Sequence, residues 1–364
     1  MKDIAKAILK SPTGLFGVVV IVFFALLAFP GYLITPDSTS QANNIHVEVA
    51  LQKPGSKILF FKQRKNEVKE VSWLSKWING TPVYFEEIAV QKWELKDDHI
   101  YIEEFNGDDE VAGPEHIISL GKLGFEKGVS KEEIESKFFE LRKYRLGTDG
   151  FGRDLLSRVV IGGRISLSVG FIAVFISLTI GIILGMLAGY YGGKLDAAIM
   201  WLINVMWSLP TLLLVVAISF VLGKGFWQIF VAVGLSMWVD IARIIRGQVM
   251  SVKEKEFISA AKVLGLPSRR IMFGHILPNI KGPIIVIAAA NFAAAILLEA
   301  GLSFLGLGVS PPTPSWGMMV NEHYSNIVFS SAFLAIIPGL AIMLLVMAFN
   351  LLGNSLRDAL DVNM

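Results

Sequence analysis

Residues Glu256 to Asn279 read EFISAAKVLGLPSRRIMFGHILPN, a basic stretch set between two long apolar runs. Ser259 to Gly265 reads as a helix: Ala260 and Ala261 are small, and Gly265 suits the left-handed position that ends a helix. Pro267 and Ser268 start a second short helix, with the proline in a first-turn position where its missing N–H costs nothing. Pro278 ends the piece before the next apolar run. Two adjacent alanines let another surface approach closely, so the stretch is a candidate contact for a soluble partner. The plain alternative is a positive loop that only fixes membrane topology.

The flanking runs show what kind of chain carries it. Of 364 residues 53% are hydrophobic, above an ordinary globular domain, and the net charge is only +2. That balance implies no nucleic-acid partner. Cysteine is absent, which excludes disulfides, cysteine nucleophiles and thiolate metal sites. A membrane-crossing helix needs about 20 apolar residues. Gly14–Thr35 qualifies, and its 22 uncharged residues exceed a signal-peptide core, so it is read as a retained span. Ile165–Gly193 follows with 29 uncharged residues, then Ala197–Gly223 with Pro210 inside. Gly225–Val239, extended through Ala242, is the fourth, Gly282–Leu298 the fifth, and Phe329 to Gly353 the core of the sixth. Pro210 and Pro338 are expected to kink or interrupt their helices.

Six spans put both termini on one side, and lysine and arginine decide which. Lys2, Lys6 and Lys10 precede the first span. Arg243, Arg246, Lys253, Lys255, Lys262, Arg269, Arg270 and Lys281 follow the fourth, whereas Lys224 stands alone after the third and Gly301 to Ser331 has no lysine or arginine. Both termini and the Glu256–Asn279 loop are therefore expected in the cytoplasm. Residues 36–145, with 16 Lys/Arg and 20 Asp/Glu, then fall outside as an α+β domain inserted between spans one and two. Strand patterns occur at His46–Leu51, Lys57–Phe61, Val83–Val90 and His99–Phe105. Ser130 with Glu133 opens a helix whose apolar stripe is Ile134, Phe138 and Leu141. A partly ordered spacer is the alternative.

Smaller signals complete the reading. Gly181, Gly185 and Gly189 recur every four residues and make a flat face for close helix packing in lipid. Gly147, Gly150 and Gly152 suggest a tight turn, with Arg153, Asp154 and Arg158 at the membrane interface. They are no phosphate loop, since no Lys-Ser/Thr pair ends them. Asp240 and Arg243 are spaced to pair. Glu299 stands at the outer end of span five, within reach of water, and is a possible pathway or gate residue with Trp316, which also suits an interface anchor.

Several stretches together resemble one family. Ser259-Ala260-Ala261, then Gly265, then Leu277-Pro278 is similar to the "EAA" loop of ATP-binding-cassette importer permeases, and His275–Asn279 looks like its oligopeptide/dipeptide branch. LGTDGFGRDLLSRVVIGGRISLSVG from Leu146, GLSFLGLGVSPPTPSWGMMVNE from Gly301 and FNLLGNSLRDALD from Phe349 look like the same family. Ser259 stands where the motif has glutamate, and Glu256 lies one turn earlier.

The resemblance implies an all-α polytopic protein with six transmembrane helices, the type I importer arrangement, and no catalytic or metal site. It implies that Glu256, Ser259, Ala260, Ala261, Gly265, Arg269, Arg270 and Pro278 form a coupling loop docked on an ATPase. Implied partners are a second homologous permease, two cytoplasmic ATPase subunits that hold the ATP and Mg, an extracellular substrate-binding lipoprotein, and the lipids of a bacterial or archaeal cell membrane. The expected cargo is an oligopeptide or dipeptide, with nickel, glutathione or oligosaccharides as alternatives. A membrane enzyme is disfavoured by the absence of HExxH, GxSxG and nucleotide-loop motifs, and a sensor by the lack of a cytoplasmic signalling domain.

Overall fold

The computed structural model describes residues 7–65, 70–107, 113–124, 129–223, 226–328 and 331–361. Lys2, Lys6, Lys224, Gly225 and Phe329 of the sequence reading lie outside them.

Four of the described helices are long and apolar enough to cross a membrane. They are α4 (Leu155–Tyr191), α7 (Phe226–Lys253), α11 (Lys281–Phe304) and α13 (Phe333–Asp361). The first apolar run forms α1, Pro12–Ala28, whose N-cap Ser11 accepts a hydrogen bond from the Gly14 amide. The third run breaks into α5 (Gly193–Trp207) and α6 (Thr211–Leu222), bent by 96° at Ser208–Pro210. Neither half alone reaches about 20 residues, so the run is a bent pair and not one straight span. The α13 helix instead runs through Pro338 without interruption.

The span limits differ from the apolar runs for a local reason. Asp154 caps α4, its carboxylate accepting from the Ser157 amide, so the helix starts ten residues before the uncharged run. Similarly, α7 continues through Arg243, Arg246 and Lys253, so these charges ride on a helix and not on a loop.

Helices α4 and α7 form the closest pair. A Cβ on Gly181 would lie 2.6 Å from that of Ile241, on Gly185 2.5 Å from the Ala242 carbonyl oxygen, and on Gly189 2.7 Å from that of Arg246. The three glycines sit in register along α7, the most enclosed of the four long helices. In lipid, where apolar contact with solvent gives no drive, such backbone approach is what favours association.

The insert folds as a five-stranded antiparallel sheet in the order β4-β3-β2-β1-β5. Its strands are β1 (Lys57–Arg64), β2 (Phe85–Lys96), β3 (His99–Glu104), β4 (Glu115–Ser119) and β5 (Phe139–Lys143). The β2–β3 hairpin turns at Asp97 and Asp98, both at positive φ, as a two-residue hairpin loop needs. Phe60 and Phe61 are both buried, and consecutive strand residues face opposite ways, so both faces need cover. Helix α3 (Lys131–Phe138) brings Ile134 to one face; Val49 and Tyr144 cover the other.

Three local expectations change here. His46–Leu51 is a 3₁₀ turn at Val47–Val49 and not a strand. Leu141 belongs to β5 and is exposed, because the chain leaves the helix at Phe139 to pair with β1. The strands β4 and β5 carry weak or interrupted alternation and were not anticipated.

A buried charge cluster fastens this sheet to its root. Arg142 donates through both terminal nitrogens to Glu87, at 2.7 and 3.1 Å, and stacks over Phe60. His46 bonds Glu87 at 3.0 Å and Glu48 at 3.2 Å, and Asn44 also donates to Glu87. Burial opposes the Glu87 carboxylate, but His46, Arg142 and Lys62 outweigh it and hold its pKa well below the usual range. Burial likewise opposes the His46 imidazolium, and the two carboxylates raise its pKa nonetheless.

Two predictions follow from this packing. Gly185→Leu should separate α4 from α7 at a cost of about 1–3 kcal/mol, read as a lower melting temperature of the purified chain, whereas Gly247→Leu, which meets open space, should be neutral. The Glu87 contribution is present above about pH 4.5 and lost as pH falls through its depressed folded value. The His46 contribution is complete below about pH 6.5 and lost as pH rises through its raised value. Hydrogen exchange of β1 and β2, taken relative to the intrinsic rate at each pH, should therefore be slowest between these limits. Glu87→Gln should speed it by an amount equivalent to about 2 kcal/mol and remove the acid limb; an unchanged acid limb would assign it elsewhere.

Candidate coupling surface and outer contact

The Glu256–Asn279 stretch forms a helical elbow at the end of α7. Helix α8 (Glu256–Val263) ends in Leu264 and Gly265, the latter at φ +73°. The Leu266 amide reaches back to the Ala261 carbonyl, which closes the turn. Pro267 then caps a short turn, α9 (Ser268–Arg270), in extended conformation, so it stands just before the first turn and not within it. A π-helical turn at Ile271–Ile276 leads to α10 (Leu277–Asn279) and directly to α11. Pro278 lies in the first turn of α10, where no N–H is required, so it does not terminate the segment.

One side of the elbow is core. Ile258, Ala261, Ile271, Met272 and Ile276 pack with Met186 and Tyr190 of α4 and with Ile241, Ile245 and Val249 of α7. Ala261 is thus turned inward, and of the two alanines only Ala260 is exposed. Helix periodicity explains the split: Ile258 and Ala261 are three apart and share the inner face. The outer side presents Glu256, Ser259, Ala260, Gly265, Arg269 and Arg270, all exposed. Val263 and Leu264, 88% and 79% exposed, form its tip and were not singled out from the sequence. Their signal was available: two large apolar residues immediately before a helix-ending glycine. This is an apolar knob on a braced turn, with cations beside it.

Near the other end of α4, two sequence-distant stretches meet. Trp316, at the start of α12 (Trp316–His323), is 1% exposed; its indole N–H donates to the Val159 carbonyl, and its ring lies on Gly163. It is a core residue and not an interface anchor. Glu299 is fully buried, accepting from Ser303 at 2.7 Å and Ser166 at 3.2 Å, so it does not snorkel to water. Neither residue faces an open path in this conformation.

Arg153, Asp154 and Arg158 are also buried, against the expectation of an interfacial position. Arg153 donates to Asp149 at 2.6 Å and to Asn43 and Glu322; Arg158 reaches the same Glu322 oxygen at 3.3 Å and lies 3.5 Å from Asp149. Gly147 and Gly152, both at positive φ, shape the turn that makes this possible. A Cβ on Gly152 would fall 1.7 Å from the His46 carbonyl oxygen. Burial pushes the pKa of neighbouring His323 down.

Asp240 and Arg243 do not pair directly. The Trp207 indole donates to Asp240 at 2.8 Å and Arg243 stacks on its ring at 4.1 Å, so α5 stands between them. Arg246 instead forms a two-point ion pair with Asp196. No cluster of three or more acidic, histidine or cysteine residues suited to a metal occurs among the described residues.

Comparison with known proteins bears on this arrangement. The family model for the binding-protein-dependent transport system inner membrane component matches residues 181–364, which include the elbow. A dipeptide transport system permease protein of Alkalihalophilus pseudofirmus is 44% identical over 218 residues, 60% of this chain and 71% of that protein. An oligopeptide transport system permease protein of Haemophilus influenzae is 44% identical over 59% of this chain and 69% of its own length. A glutathione transport system permease protein of Pectobacterium atrosepticum is 43% identical over 59% and 71%. With half its length matched by the model and these relatives covered over more than two thirds of theirs, this chain belongs to the inner membrane components of binding-protein-dependent transport systems, as a polytopic permease subunit.

Proposed function

We propose that the chain is one of two homologous permeases in an ATP-driven importer, and that it passes oligopeptides or dipeptides delivered by an external binding protein. The names of its relatives support that cargo, with glutathione as the second reading. In this reading six apolar segments cross the membrane, both termini and the elbow lie in the cytoplasm, and residues 36–145 lie outside. ATP and Mg belong to the partner ATPases.

The observation that carries the coupling reading is the tip of Val263 and Leu264, solvent-exposed on an elbow whose other side is fixed to α4 and α7. An apolar knob held so firmly suits a cleft on a soluble ATPase, and movement of that subunit reaches the spans through the packed side. Ser259 is exposed and brings no charge, so the contact rests on shape.

Burying one leucine is worth about 2 kcal/mol, or roughly 30-fold in affinity. Leu264→Asp should therefore release the ATPase subunits on co-purification and abolish transport while the chain still inserts. Ser259→Ala should leave both within about twofold. Ala261 is the wrong probe, because enlarging it disturbs the elbow's own core. Normal assembly and transport by Leu264→Asp would remove the docking assignment.

The two chain segments that enter and leave the sheet meet where Gly55 donates to the Tyr144 carbonyl and Tyr144 to that of Ser56. In the proposed orientation the insert flanks the entrance, and its mixed charge suits a polar, transient contact with the binding protein. A short glycine linker joining Ser56 to Tyr144 removes the sheet together with the short helix Trp73–Asn79. Loss of binding-protein affinity with the membrane complex intact is the expected result; full transport without the sheet would make it a passive cover.

A further inference from the structure

The short helix α2 (Trp73–Asn79, WLSKWIN) has no role in the sheet, and its chemistry is unlike the rest of the charged insert. Three of its seven residues are large, apolar and open: Trp73 is 66% exposed, Leu74 53% and Ile78 46%. Leu74 and Ile78 are four apart and share one face.

Where this helix sits is set by two independent contacts. The Trp77 indole donates to the carbonyl of Phe29, the residue that ends α1, at 2.8 Å, and the two rings meet edge to face at 4.9 Å. On the other side, Arg164 donates to the Trp77 carbonyl at 2.8 Å. Arg164 is the last charge before the uncharged residues 165–193. One apolar span therefore ends, and another begins, at the level of Trp77. That level is where a bilayer's hydrocarbon gives way to headgroups, and tryptophan concentrates there because its ring is apolar and its N–H polar.

The exposed face is also continuous with the flank of α1. Leu26 and Phe29 are open on that helix, and Trp77 joins them to Trp73 by ring stacking at 6.2 Å. Just past the C-terminus of α2, Thr81 hydrogen-bonds to Ser38 and Ser40 at the root of the insert, so the helix is held there as well as at Trp77.

We propose that α2 is a lipid anchor: Trp73, Leu74 and Ile78 enter the headgroup–acyl boundary of the leaflet on the insert's side and fix the height of the sheet above the membrane. The partner is the bilayer itself, and the proposal rests only on α1 and α4 being membrane spans. A helix with apolar residues on one side and the protein on the other lies in that boundary and does not cross it.

The absence of cysteine from the chain gives a direct test. Leu74→Cys and Ile78→Cys, each in the full-length chain, carry a nitroxide label in nanodiscs of phosphatidylethanolamine and phosphatidylglycerol. Phe23→Cys on α1 and Ile117→Cys on β4 are controls, both being exposed. Relaxation by oxygen reports lipid, and relaxation by a water-soluble nickel chelate reports solvent. The expected result is oxygen-dominated relaxation at 74 and 78, as at 23, and chelate-dominated relaxation at 117. Chelate-dominated relaxation at 74 and 78 with a lipid-like 23 overturns the anchor alone. Shielding of 74 and 78 from both agents means that protein covers the face and also overturns it. A solvent-like 23 overturns the spanning reading on which the anchor stands.

Discussion

The close approach of α4 to α7 is the constraint from which the rest of the membrane part follows. Three glycines at four-residue spacing keep side chains of α4 out of the contact, and Ile241, Ile245 and Val249 of α7, with the Ala242 and Arg246 carbonyls, fill the space. Helix α4 has 37 residues, so as a continuous rod it is about 55 Å long. Its first turns carry Arg158 and the groove for Trp316, and its last carry Met186 and Tyr190, against which the elbow packs. Whatever moves the elbow therefore acts on a rod whose other end holds the contact at Glu322.

That far contact is costly to build and correspondingly specific. Arg158 is completely buried, and an unpaired buried charge costs several kcal/mol. Asp149 and Glu322 answer it, and Arg153 bridges the same two carboxylates. Removing either acid leaves two guanidinium groups facing each other in a poorly solvated space. The insert's root, the start of α4 and helix α12 are thus held to one arrangement by charge pairing as much as by apolar contact.

Much of this was legible in the sequence, but only where the determinant was local. The left-handed Gly265, the Ser130 cap and the break at Pro210 each depend on neighbours within one turn, and each appears at its expected position. Burial of Glu299, Trp316 and Arg158 was not legible, since their covers come from more than 100 residues away: Ser166, Val159 and Glu322. The inward turn of Ala261 was hidden for a related reason. Both alanines suit a close contact, and only the placement of α8 on α7 decides which one faces the protein. Strand β5 was masked because Phe138 and Leu141 continue a helical stripe; pairing with β1 overrides that local preference.

The bent third run shows how one helix comes to organise several breaks. A right-angle turn in apolar surroundings frees backbone groups, and Pro210 supplies no N–H to re-form the ladder. Ser208 and Leu209 fold their amides back onto Asn204 and Met206, which satisfies the near side of the bend. The bend is then fixed to α7 by the Trp207–Asp240 hydrogen bond and the stacking of Arg243 on the same ring. One turn further along α7, Arg246 holds Asp196 at the beginning of α5. Both ends of α5 are therefore gripped by three polar residues spaced three apart on α7, the helix that also seats the glycines and carries the elbow. Under the proposed coupling role, a tilt of α7 cannot occur without carrying α5 and the bend with it, so the charges at the inner end of this span link the elbow's motion to the third apolar run as well as to α4.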